Sequence, residues 1–262
     1  NINLADIVIF LDDIPKTFSY NLNNKIVICF SREPFPKIKR IWSKYNFKYI
    51  FDYNNYRAVL TEPYFLNKDF DYLTNLDYVN IKKNKKLSAI ISGKSTTKGH
   101  ANRKNFTIKL SNILKLNCDI FGSKWNGELN KESYKGELGL YHSNQNNSNS
   151  KFEGLISYKY SICIENIQVN NYFSEKFTDA ILCQTIPIYF GCPNISDYFP
   201  KDCFYSIDIN DINVFERIEE IINLPITSSQ IEALKVAKDL VLNKYSIWPS
   251  VDEKINELIS NK

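Results

Sequence analysis

The segment KYSICIENIQVNNYFSEKFTDAILCQTIPIYFG, residues 159–191, constrains the fold more than any other part of this chain. KYSICI (159–164) is a short continuous apolar run, the pattern of a strand covered on both faces. SEKFTDAILCQ (174–184) reads as a helix with Ser174 as its N-cap, and IPIYFG (186–191) as a second strand closed by glycine. Strand, loop, helix and strand in this order form a βαβ unit, which requires parallel pairing and a right-handed crossover. Charge interrupts the unit only between its apolar elements, at Glu165, Glu175 and Lys176.

The same alternation extends along the chain. DIVIFL (6–11), KIVICF (25–30) and FKYIFDY (47–53) read as strands, with a Pro-bounded turn at SREPFP (31–36) and a helix at KIKRIWSKY (37–45). Periodicity then fades over 67–86, which ends in KKNKK (82–86) and reads as a solvated linker. LSAIIS (87–92) and CDIFG (118–122) are strands, GKSTTKGHANR (93–103) a polar loop, and KNFTIKLSNILKL (104–116) a helix. Residues 123–150 form a polar, flexible excursion. CFYSID (203–208) is a further strand, DINVFERIEEII (211–222) a helix, and 229–245 and 250–260 terminal helices. The implied class is α/β, with two Rossmann-like units joined by a linker and facing a cleft. The expected boundaries are 1–84 for an N-terminal unit, 85–245 for a C-terminal one, and 246–262 for a terminal helix.

Composition narrows the functional classes. A formal charge of +4 without a dense basic stripe argues against nucleic acid as a partner. No apolar run approaches the roughly 20 residues of a membrane span. The six cysteines form no CxxC pair and lie mostly in apolar runs, as expected of free thiols in a reducing, cytoplasmic setting.

In open α/β sheets ligands bind at the carboxyl ends of strands, beside helix N-termini whose free N–H groups and positive dipole suit phosphate. Two loops qualify. The first, 93–103, carries Lys94, Lys98, His100 and Arg103; the second, 165–176, carries Glu165, Asn166, Tyr172, Glu175 and Lys176. Neither is a GxGxxG or GxxxxGK[ST] fingerprint, and each basic residue alone reads equally as a solvated helix start. Both loops stand at equivalent places, which raises a diphosphate site. Glu33, after the strand KIVICF, reads either as a turn acid paired with Arg32 or as a general base facing that site.

Residues 159–200 resemble the signature of glycosyltransferase family 10, the α-1,3/1,4-fucosyltransferases of bacterial type. The features are a Tyr-Lys-hydrophobic strand into Glu-Asn, then Tyr-x-Ser-Glu-Lys, an apolar helix, Thr-Ile-Pro-Ile, Gly-x-Pro and an aromatic-Pro. SREP (31–34), FKYIFDYNNYRAVLTEPYF (47–65) and the region of Asn102–Arg103 are similar more loosely, and the part upstream of SREP looks shortened. The resemblance implies a GT-B fold with a shortened N-terminal unit, and inverting transfer of L-fucose from GDP-fucose to an acceptor oligosaccharide. It assigns Glu33 as the base, Arg103 and Lys176 to the diphosphate, Glu175 to the ribose, and Tyr172 and Asn166 to the donor pocket. Lys94 and Glu165 are further site candidates. No metal and no tightly bound cofactor is expected, because Asp12–Asp13 lies near the chain start and away from the nucleotide loops. Peripheral association with the inner face of a membrane is compatible with the terminal helices. Transfer from another nucleotide sugar, or silent binding of a nucleotide sugar or glycan, are the alternatives.

Overall fold

The computed structural model describes residues 4–12, 18–31, 47–56, 66–138 and 150–260. Two parallel sheets carry the chain. The first pairs β1 (Ile7–Leu11), β2 (Ile26–Phe30) and β3 (Tyr49–Phe51) in that order. Ile28, Cys29 and Phe30 of the central strand are fully buried, as a β-branched run flanked by strands on both sides should be.

The second sheet is the main body. Its strands are β4 (Lys85–Ile90), β5 (Cys118–Phe121), β6 (Tyr134–Gly136), β7 (Tyr158–Ile164), β8 (Ile186–Phe190) and β9 (Tyr205–Ser206), arranged β6-β5-β4-β7-β8-β9 and all parallel. This is the doubly wound order, which reverses direction between β4 and β7. Leu87 pairs with Tyr160 and Ala89 with Ile162 across that junction. The buried Ser88 hydroxyl finds its partner in Ser161, 3.2 Å away, so the polar atoms cross the core satisfied.

Helices cover the sheet. α1 (Phe70–Asn75) and α2 (Lys98–Ser111) precede β5; α3 (Glu175–Leu182) crosses from β7 to β8; α4 (Val214–Asn223), α5 (Ser228–Leu240) and α6 (Ile247–Ser260) follow. Phe177, Ala180, Ile181 and Leu182 of α3 are fully buried, and the Phe177 ring meets Tyr189 at 4.9 Å and Phe199 at 5.0 Å. A π-helical turn, Val241–Tyr245, separates α5 from α6 and redirects the chain. α6 then packs Ile247 and Val251 against Ile28 and Phe30 of the first sheet, and Glu253 accepts a 2.8 Å bond from Tyr56. The face of this terminal helix that carries Ile247, Val251, Ile255 and Leu258 is thus covered by the N-terminal strands, while Trp248 stays 71% exposed. Among the described residues no helix is long and apolar enough to cross a membrane.

Several sequence expectations need correction. The linker reading of 67–86 misses α1, whose Leu73 is fully buried and whose last carbonyls (Leu73, Thr74, Leu76) accept from the Lys238 ammonium. Within KKNKK, Lys83 is not solvated: it donates to the Cys183 carbonyl at 2.8 Å and to Thr185 Oγ1 at 2.7 Å, and burial lowers its pKa to about 7. The loop reading of 93–103 fails from residue 98 onward. Thr97 caps α2 by accepting from the His100 N–H at 3.2 Å, which places Arg103 inside the helix. The excursion 123–150 also begins as structure, since Trp125 is buried and donates to the Ile91 carbonyl at 2.9 Å. The predicted turn at 31–36 beyond Ser31 and the helix at 37–45 lie outside the described residues.

Candidate functional site

A cavity of about 260 Å³ opens where β4 and β7 diverge, the place where doubly wound sheets bind ligands. Ile91 and Ser92 wall it just after β4, Gly122 and Ser123 just after β5, and Cys163 and Ile164 at the end of β7. Arg103 of α2 and Glu175 and Lys176 of α3 bring charge to it. Three of the five predicted donor-site residues therefore line one cavity, although Arg103 lies 72 positions before Glu175 in the chain.

Glu165 explains how the cavity is held. It follows β7 directly, its N–H donates to the Phe190 carbonyl at 2.8 Å, and its side chain is fully buried. Its carboxylate accepts from the Ser174 N–H at 2.7 Å and from the Ser174 hydroxyl at 2.7 Å. Lys176 Nζ lies 3.5 Å from the same carboxylate and donates to Ser174 Oγ at 2.9 Å. The end of β7 is thus tied to the first turn of α3 by a carboxylate, a hydroxyl and an ammonium. Gly191 leaves the room this requires: a Cβ there would stand 2.5 Å from Glu165 Cγ and 2.4 Å from Tyr189 Oη.

The electrostatics follow from burial and pairing. Burial raises the Glu165 pKa, with Lys176 pulling against it. For Glu175 burial also opposes ionisation, but Lys176 and Lys151 outweigh it and hold the carboxyl at about 2. Burial disfavours the Lys176 ammonium, yet Glu175 at 3.2 Å and Glu165 raise its pKa. Arg103 is 4% exposed, and burial lowers its pKa despite three neighbouring acidic groups; a guanidinium remains charged all the same. Its Nη1 donates to Asn166 Oδ1 at 2.5 Å, whereas its Nε has no hydrogen-bond partner. α2 approaches the Asn166 loop closely because residue 99 is glycine: a Cβ at Gly99 would lie 1.7 Å from the Asn166 carbonyl oxygen.

The remaining predicted residues are placed differently. Asn166 reaches the site through Arg103 and is not itself part of the cavity wall. Tyr172 is 3% exposed and packs edge-to-face on Tyr53 of the N-terminal unit at 6.1 Å. Beside it, Asn171, at φ +61°, donates to the Tyr53 carbonyl at 3.1 Å, a second tie between the donor loop and that unit. Lys94 is exposed and does not line the cavity. Glu33 lies outside the described residues, as does Asp13. Lys151 and Asp179 also line the cavity and escaped the sequence reading. The i, i+4 spacing of Glu175 and Asp179 was the available signal, since it puts both acids on one helix face. Among the described residues no group of three or more His, Cys, Asp and Glu is arranged to hold a metal.

The model of glycosyltransferase family 10 (fucosyltransferase), C-terminal part, matches residues 81–227, more than half of the chain. The chain belongs to this family. All described cavity residues named above fall within the matched segment. An α-(1,3)-fucosyltransferase of Helicobacter pylori is 37% identical over 71 residues, covering 27% of this chain and 14% of that protein. α-(1,3)-Fucosyltransferase B of Drosophila melanogaster is 38% identical over 69 residues, covering 26% of this chain and 15% of that protein. These alignments thus reach about a seventh of the length of the relatives. The crystal structure of an α1,3-fucosyltransferase with GDP superposes with a TM-score of 0.50 at 18% identity, covering 94% of this chain and 72% of that one. The likeness is one of fold: two Rossmann-like α/β units of the GT-B type.

Proposed function

We propose that this family 10 chain transfers L-fucose from GDP-fucose to a hydroxyl of an acceptor glycan, with inversion at the anomeric carbon, in the manner of an α-1,3-fucosyltransferase. The observation that carries the reading is the convergence of Arg103, Glu175 and Lys176 on one cavity at the sheet's switch point, inside the family-matched segment. Arg103 and Lys176, cations in the cavity wall beside Glu175, would grip the diphosphate. Glu175, held ionised, would accept from the ribose hydroxyls. Asn166 would act by fixing the guanidinium, and Tyr172 by seating the donor loop against Tyr53. The choice of GDP draws on the GDP bound in the α1,3-fucosyltransferase of similar fold.

The chemistry is a single displacement. Glu33 would take the proton of the acceptor hydroxyl as its oxygen attacks the anomeric carbon. The bond from that carbon to the diphosphate oxygen breaks, and GDP departs with the electron pair. Positive charge on the sugar ring and negative charge on the diphosphate both grow toward the transition state, and the two cations stabilise the latter. Six buried cysteines, none of them in a disulfide, support a reducing, cytoplasmic setting, with action beside a membrane's inner face.

The test is incubation with GDP-fucose and an N-acetyllactosamine acceptor, with released GDP and fucosylated product as the readouts. Acceptor-dependent GDP release is expected from GDP-fucose and not from UDP or CMP sugars. GDP binding without turnover on a panel of acceptors would replace this reading with that of a nucleotide-sugar-binding module.

A further inference from the structure

Lys151 and Asp179 stand in the wall of the same cavity without a role in the transfer described above. Lys151 lies in the turn that leads into β7, and Asp179 one helical turn after Glu175 on α3. Lys151 Nζ is 3.1 Å from Asp179 Oδ2 and 3.9 Å from Glu175 Oε1. The Asp179 side chain is 3% exposed, and its other oxygen, Oδ1, has no hydrogen-bond partner. Burying a carboxylate half satisfied is costly, and a buried ion pair rarely outperforms an apolar pair of the same volume. Stability alone therefore does not account for an acid at this position. The geometry does: both Lys151 and Lys176 reach Glu175 through the same oxygen, Oε1. Pinned at that corner, the carboxylate can present its other oxygen to a vicinal diol.

We infer that Asp179 and Lys151 are positioning residues for donor binding: Asp179 anchors the Lys151 ammonium, and Lys151 fixes the Glu175 carboxylate for the ribose hydroxyls of a nucleoside diphosphate. The inference rests on the reading of the cavity as a GDP site. The competing role is a plain staple between α3 and the turn before β7, which would affect folding and all ligands alike.

Calorimetry with GDP and 2′,3′-dideoxy-GDP separates the two. Wild-type protein should prefer GDP by roughly tenfold, the size of one hydrogen bond to a charged group. Lys151→Met should erase most of that preference, Asp179→Asn should reduce it, and Lys151→Arg should retain it. In a Glu175→Gln background, where the preference is already gone, Lys151→Met should add less than about twofold. A preference that survives Lys151→Met, or equal weakening toward both nucleotides, overturns the inference while leaving the GDP site in place. Failure of the wild-type protein to bind GDP at all overturns the donor-site reading itself. Should Lys151→Met fail to fold, Asp179→Asn and Lys151→Arg carry the same comparison.

Discussion

Gly99→Ala tests how the two halves of the site are held together. At an exposed second position of a helix, alanine in place of glycine normally stabilises, by up to about 1 kcal/mol. Here the sign should reverse. The new Cβ would sit 1.7 Å from the Asn166 carbonyl oxygen and 2.8 Å from its carbon, both backbone atoms that cannot swing away. Relief requires α2 and the Asn166 loop to separate by about 1.5 Å or more, since ordinary carbon–oxygen contact lies near 3.5 Å. That movement stretches the Arg103–Asn166 hydrogen bond from 2.5 Å beyond bonding reach. Overpacking costs about 1–3 kcal/mol, and loss of a hydrogen bond to a buried charged group about 1.5–3 kcal/mol, so the sum is about 2.5–6 kcal/mol. For a chain of this size the melting temperature should fall by roughly 10 °C. GDP affinity should fall as well, because Arg103 loses its orientation. Thermal unfolding and calorimetry with GDP are the assays, with Lys98→Ala on the exposed neighbouring position as the control. If Gly99→Ala melts and binds GDP like the wild type, the close approach of α2 to the Asn166 loop does not hold the site, and the argument fails.

Other outcomes follow from the same geometry. Lys176→Ala should weaken GDP binding by about 1–3 kcal/mol, since it removes a charge-assisted contact; unchanged calorimetry would remove Lys176 from the site. Glu33→Gln should lower fucosyl transfer by about 10²–10⁴-fold while GDP affinity stays the same, and turnover at the wild-type rate would eliminate it as the base. Asp179 is raised by burial from 3.8 to about 6, with Lys151 opposing, so its protonated form is favoured by folding. That contribution is complete below pH 4 and lost as pH rises through 6. The stability difference between wild type and Asp179→Asn, measured by urea unfolding, should therefore shift against the wild type across pH 4–6; a flat difference refutes the assignment.

Legibility in the sequence tracked the range of the interactions involved. The βαβ unit at 159–191 was readable because each of its signals is local: apolar runs for β7 and β8, and a serine cap for α3. The apolar stripe of α2 begins only at Phe106, so periodicity starts this helix at residue 104, six positions after its true start at Lys98. Its first two turns are covered by the Asn166 loop, a contact the local sequence does not announce. Trp125 and Leu73 were missed for the same reason: each stands singly in a polar context and is buried by distant partners. In the site, Glu165 illustrates the difference most clearly. Its presence in the motif was plain, but its work, joining β7 to α3 through Ser174 and Lys176, is visible only as geometry.

The amino-acid sequence alone determined the alternation of strands and helices, the capped start of α3 and the family motif, because these depend on periodicity, caps and residue order within a few positions. Tertiary structure alone decided which charges meet. Arg103 bonds Asn166 across 63 residues because β4 and β7 become neighbours in the sheet and bring the segments that follow them to one edge, and Lys151, in the turn before β7, pairs with Asp179 of α3 across 28. Strand order is set by burial of both sheet faces, a property of the whole chain, so the convergence of these charges cannot be read from any one segment.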